Sequence, residues 1–140
     1  MRHMFASLLV SGLVPVAALA GDLTVTIDHV RNDRGSILAA LYDSEASFMK
    51  QPSARATFKA KAAQGEVQYV FHDLAAGQYA LSVFHDENDN GKLDKNFIGI
   101  PSEGYGFSNG ARGRAGPPAF NKAAFEFDGK TQSITITLSY

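Results

Sequence analysis

Apolar side chains recur at every second residue along most of this chain. That period suits extended strands with one buried face, not helices. Leu23, Val25 and Ile27 alternate with Thr24, Thr26 and Asp28, and Val67, Tyr69 and Phe71 are interleaved with Gln68, Val70 and His72. Tyr79, Leu81 and Val83 share another face, with Phe84 on the opposite one, and Ile134, Ile136, Leu138 and Tyr140 close the chain against Ser133, Thr135, Thr137 and Ser139. Weaker segments carry Phe58, Ala60 and Ala62, then Phe125 and Phe127; residues 37–42 are apolar on both parities, which suits a central strand. Turn-forming stretches such as Asn32-Asp33-Arg34-Gly35, Ala76-Gly77 and Asp128-Gly129-Lys130 separate these segments. Residues 44–50 read as a single helical turn capped by Ser44, with Phe48 and Met49 dipping toward the core. The expectation is an all-β fold: a seven-stranded immunoglobulin-like or prealbumin-like antiparallel sandwich with one long glycine-rich loop. Its core is expected at Ile27, Leu41, Tyr69, Leu81, Val83, Phe127 and Ile136.

The first twenty residues read as an address. Met1-Arg2-His3-Met4 is a short positive start, residues 5–16 are mostly apolar, and Ala18-Leu19-Ala20 matches a small-residue cleavage pattern. The apolar run is too short for a membrane span, which needs about 20 residues. Cleavage before Gly21 is expected, leaving one domain over residues 21–140 and a periplasmic or extracellular location with no stable membrane insertion. Losing Arg2 moves the formal charge from −1 to −2, a balance that excludes nucleic acid as a partner. The chain has no cysteine, so thiol catalysis, disulfide staples and cysteine–zinc sites are excluded.

One region breaks the alternation. Residues 86–121 exceed the length of an ordinary connection in a small domain. The region is rich in glycine yet carries Phe97, Ile98, Ile100, Tyr105, Phe107 and Phe120, expected to pin it to the sandwich. It opens with Asp86, Asn88, Asn90, Gly91 and Asp94, the front half of an EF-hand-type calcium loop. Oxygens on alternate residues of a tight turn converge on one point, and a hard cation prefers oxygen ligands. The expected ligands are the side chains of Asp86, Asn88, Asn90 and Asp94, the Lys92 carbonyl and Glu103, which together reach the six or so oxygens that calcium needs. The position where an EF-hand places its closing Glu is Phe97 here, so affinity is expected nearer about 10⁻⁴–10⁻³ M than that of cytosolic sensors. The alternative is a turn whose Asn and Asp side chains bond their own backbone.

The run from Gly77 and Tyr79 through His85, Asp86, Asn88, Asn90, Gly91 and Asp94 continues as Gly99, Pro101, Glu103, Gly104, Gly106, Phe107 and Ser108. With these residues the chain resembles a family of small exported bacterial proteins known only as a domain of unknown function. The 74–79 turn is also similar to prealbumin-like modules of bacterial surface proteins. The resemblance implies export and a β-sandwich body, and it implies no established activity.

Two function classes follow. The first is an exported, non-catalytic binding or accessory domain with a structural calcium in the 86–94 loop, meeting an envelope protein or a glycan. The second is a metal-dependent hydrolase using His85, Asp86 and Glu103. The first is favoured, because the acids sit in one turn-like cluster and Ser82 and Ser108 lack the surroundings of a nucleophile elbow. An open pocket of about 300 Å³ or more at the His85 and Glu103 end would favour the enzyme.

Overall fold

A computed structural model describes residues 12, 13, 19–50 and 52–140. Most of the expected export signal, residues 1–20, lies outside the described residues. Among the described residues no helix is long and apolar enough to cross a membrane.

The chain is mostly β and forms two sheets. Strand β1 (Ala20–Val30) is the centre of the first. It pairs antiparallel with β4 (Gly65–Ala75) and parallel with β8 (Gln132–Thr137). The second sheet runs β3 (Ala56–Lys61), β2 (Ser36–Tyr42), β5 (Gly77–Asp86), β6 (Tyr105–Phe107), and β7 (Phe125–Phe127) pairs with the first residues of β5. All seven expected segments form strands. Two features differ from expectation. An eighth strand, β6, lies inside the stretch read as irregular, and the β1–β8 pairing is parallel, so the sheets are not wholly antiparallel. Strand β6 escapes a periodicity search because three residues, Tyr105-Gly106-Phe107, hold less than two full alternations. The parallel pairing arises because β7 ends beside β5 and the short 128–131 connection then crosses to the far edge of β1, where β8 runs in the direction of β1.

The inward faces of the two sheets share one core. Leu23, Val25 and Ile27 meet Ile37, Leu41, Leu81 and Val83, with Phe127, Ile136 and Leu138 alongside. The expected core residues are all there, although Tyr69 is only partly buried and stacks on Phe58 with ring centroids 4.1 Å apart. A second apolar cluster lies on the outer face of the second sheet. Ala40, Tyr42 and Phe107 pack there against Phe48, Phe120 and Ala123; the last two belong to a one-turn helix, α1 (Phe120–Ala123). Phe48 arrives on the turn at residues 44–49, where the Ser44 hydroxyl accepts the Ser47 N–H at 3.2 Å. Met49 turns outward with a positive φ and does not join it.

The β1–β2 turn leans on the end of β5. Gly35 has φ of +67°, and a Cβ there would run into the backbone carbonyl oxygen of Asp86. Only glycine fits that approach. Gly35→Ala is therefore expected to lower the unfolding free energy by more than about 2 kcal/mol, read from the urea midpoint, with the β signature in circular dichroism retained.

Candidate functional site

His85 and Asp86 are the last two residues of β5, and both are fully buried. The strand ends at the edge where the Gly35 turn and the C-terminus meet, so neither side chain reaches solvent. The His85 backbone N–H donates to the Gly104 carbonyl at 2.8 Å. Its imidazole Nε2 lies 2.7 Å from the Arg34 carbonyl oxygen, which can only accept, so Nε2 carries the proton. Nδ1 then accepts from the Tyr140 hydroxyl at 2.8 Å, and that oxygen accepts the Arg31 N–H at 3.1 Å. Burial holds the Tyr140 phenol above its ordinary pKa, so it remains a donor. Every polar atom of this imidazole is used in holding the C-terminus against the β1–β2 turn.

Asp86 closes the turn that follows it. Its Oδ1 accepts the Asn90 N–H at 3.1 Å and its Oδ2 accepts the Gly91 N–H at 2.7 Å. Gly91 has φ of +77° and Asp89 of +55°, the bends that let the chain double back onto the carboxylate. Glu103, buried in its turn, joins the two ends of the loop. Its Oε1 accepts the Glu87 N–H at 2.9 Å, and its Oε2 accepts the Asp94 N–H at 3.0 Å. The loop rim is polar. Asp94 Oδ2 accepts from the Asn88 amide at 2.6 Å and Oδ1 from the Asn90 amide at 2.8 Å. The Asn88 and Asn90 side-chain oxygens accept the Asn90 and Lys92 N–H groups at 3.3 and 2.9 Å.

The expected ligand residues are thus brought into one loop and bonded chiefly to its own backbone and amides. Lys92 is exposed and enters through its backbone N–H. Among the described residues no three acidic or histidine side chains gather closely enough to grip an ion between them alone. Arg112, further along the same loop, donates to the Ser139 hydroxyl at 2.7 Å rather than to Glu103. Ser108 is buried, donating to the Ala123 carbonyl and accepting the Leu81 N–H, which is structural work rather than that of a nucleophile.

Glu87 is a hub that parity alone does not reveal. It points away from the loop centre to meet Arg31, Arg34 at 2.6 Å and the Asn32 amide at 3.1 Å. Burial pushes its carboxyl up, and the donors from Asn32, Arg31 and Arg34 outweigh that and hold it below the usual carboxylate range. Asp89 bonds the Ser36 hydroxyl at 2.6 Å, which holds it low as well. The signal for these contacts is only the charge pattern of the β1–β2 turn, far away in sequence.

A concave site does exist, and it lies elsewhere. On the outer face of the second sheet, beside the second apolar cluster, is a cleft of about 640 Å³. Leu38, Ala40, Phe84 and Tyr105 floor it, Met49 borders it, and Gly91 and Leu93 of the loop line it. Its few polar side chains include Thr57, Lys59 and Ser82. Tyr105 and Phe107 therefore serve both the cluster and the cleft. His85, Asp86 and Glu103 do not line the cleft.

Two facing sheets define a β-sandwich-like domain that carries a shut polar loop and an apolar cleft. The chain belongs to a bacterial family described as uncharacterized and conserved in bacteria, DUF2141, whose model matches residues 25–135. Neither a curated protein nor a solved structure matches the chain.

Replacing Glu103 by Gln removes one of two acceptors and sets an N–H against a backbone N–H. Glu103→Gln should cost about 1–3 kcal/mol in urea unfolding and speed hydrogen exchange at the Glu87 and Asp94 amides. For Glu87 the folded-state pKa lies below the unfolded one, so its contribution is present above about pH 4.5 and fades as pH falls through the folded value. The stability difference between the native chain and Glu87→Gln should shrink as urea midpoints are followed from about pH 7 to about pH 3.

Proposed function

We propose that this is an exported, non-catalytic binding domain whose ligand site is the outer-face cleft and whose loop wall takes a calcium ion. The cleft carries the reading. Its volume lies inside the range of small-molecule sites, about 300–1,000 Å³, and its lining is mainly apolar with a few polar groups that can orient a ligand. That lining suits a small apolar molecule better than a glycan, whose hydroxyls would find few partners. The overall arrangement is read as a variant of the immunoglobulin-like or prealbumin-like sandwich, acting in the periplasm or outside the cell.

Support for calcium comes from convergence. The side chains of Asn88 and Asn90 both reach Asp94, and turning their amides would aim two more oxygens at the same place in exchange for the Asn90 and Lys92 N–H bonds they now accept. Carboxylate oxygens of Asp86 and Glu103 that accept one N–H each retain a second lone pair for a cation. Gly91 and Leu93 line the cleft, so an ion in this loop would stiffen that lining. The alternative, a metal-dependent hydrolase using His85, Asp86 and Glu103, finds less support. All three side chains are shut away from the cleft.

The test uses the residue 21–140 protein, an apolar fluorescent probe such as anilinonaphthalene sulfonate, and melting in EDTA against millimolar calcium. Saturable binding of one probe by the folded protein, lost in Ser82→Trp with the melting temperature kept, is the expected outcome. Calcium should raise the melting temperature of the native chain and not that of Asp86→Ala. Absence of saturable binding removes the cleft as a ligand site, and equal melting in EDTA and calcium returns the loop to a self-bonded turn.

A further inference from the structure

The tip of the long loop contradicts the expectation that its apolar residues pin it down. Phe97 is 100% exposed, Ile98 65% and Ile100 55%. Phe107 and Phe120, further along the same excursion, are buried as expected. Exposed apolar side chains scattered singly need no explanation, but three within four residues on one tip do.

The tip is also built rather than loose. Lys95 and Pro101 form an antiparallel bridge at its base. The Asn96 N–H donates to the Ile100 carbonyl at 2.8 Å, and the Gly99 N–H donates to the Asn96 carbonyl at 3.0 Å. The Asn96 side-chain oxygen accepts the Ile98 and Ile100 N–H groups at 3.1 and 3.0 Å. At the other end, Glu103 and the Asp94 carbonyl hold the stem through the Asp94 and Ser102 N–H groups. The N–H groups of Asn96, Ile98, Gly99 and Ile100 are bonded within the turn, which lowers the cost of bringing its backbone close to an apolar medium.

From these features we infer that the Phe97-Ile98-Gly99-Ile100 tip docks the domain on the surface of an anionic phospholipid bilayer. The shape decides between a bilayer and a protein partner. A specific protein interface needs roughly 800 Å² on each side with a complementary surface. Three side chains on a convex tip fall short of that, whereas a bilayer interface deforms around a small apolar wedge and needs no matching pocket. The charge fits the same partner. Lys92 and Lys95 lie on the segment leading into the tip and are exposed, while Asp94 between them is turned to the Asn88 and Asn90 amides. An ammonium near an anionic surface strengthens binding about fivefold, so the pair reinforces the wedge. The inference does not depend on what fills the cleft. It describes reversible attachment by one loop, not a spanning segment.

The experiment is co-sedimentation of the residue 21–140 protein with vesicles of phosphatidylcholine alone and of phosphatidylcholine with phosphatidylglycerol. The expected result is binding to the anionic vesicles, weakened by salt and about tenfold or more by Phe97→Ser/Ile98→Ser with the melting temperature unchanged. Lys92→Gln/Lys95→Gln should weaken binding while leaving the wedge intact. Equal sedimentation of native and Phe97→Ser/Ile98→Ser protein would overturn the inference. So would failure of the native chain to bind anionic vesicles, or sedimentation-velocity evidence that Phe97→Ser/Ile98→Ser abolishes a native dimer, which would make a second copy the occupant.

Discussion

Two buried carboxylates answering four backbone N–H groups hold the loop end of this domain together. Asp86 takes the amides of Asn90 and Gly91, and Glu103 takes those of Glu87 and Asp94. Charge-assisted hydrogen bonds of this kind are the strong ones, and a buried polar group left without a partner is costly. Because Asp86 folds the 90–91 bend back onto the end of β5 and Glu103 ties Glu87 to Asp94, the loop has few alternative closures. The cleft lining at Gly91 and Leu93 and the tip beyond it inherit their positions from these bonds.

The packing beneath makes that closure possible. Strand β5 is central to the second sheet and delivers His85 and Asp86 to its end. Gly35 brings the β1–β2 turn against the Asp86 backbone, and Gly104 leaves room for the Tyr140 ring. The imidazole of His85 then ties Tyr140 to the Arg34 carbonyl. Arg31 lies over the Tyr140 ring, 4.4 Å from its centroid, and also pairs with Glu87. Charge, aromatic packing and backbone bonding at this corner thus depend on one another, and substitution effects among Arg31, Glu87 and Tyr140 are expected to be non-additive.

The chemistry available to these groups differs from that of a catalytic cluster. A general base needs an accessible lone pair beside a substrate proton. The imidazole of His85 uses both ring nitrogens for structure, and the two carboxylates face amides. The exposed apolar surfaces lie elsewhere: a concave one on the second sheet and a convex one at the loop tip. The same loop contributes to both, through Gly91 and Leu93 in the cleft lining and through Phe97, Ile98 and Ile100 at the tip.

The β character, the strand positions and most of the core were legible in the alternation, because a half-buried strand must place like residues two apart. Asp86, Asn88, Asn90 and Asp94 could also be grouped in advance, since their spacing brings oxygens together in a tight turn, and Glu103 could be added only as the next acid along the chain. Which atoms those oxygens meet was not legible. Only the folded backbone sets amide donors at the Asp86 and Glu103 carboxylates, and only the return of β8 beside β1 brings Tyr140 to His85. The outward Phe97, Ile98 and Ile100 could not be foreseen either. Apolarity in a sequence indicates a tendency to leave water, and tertiary structure alone decides whether the protein's own core supplies the place to go.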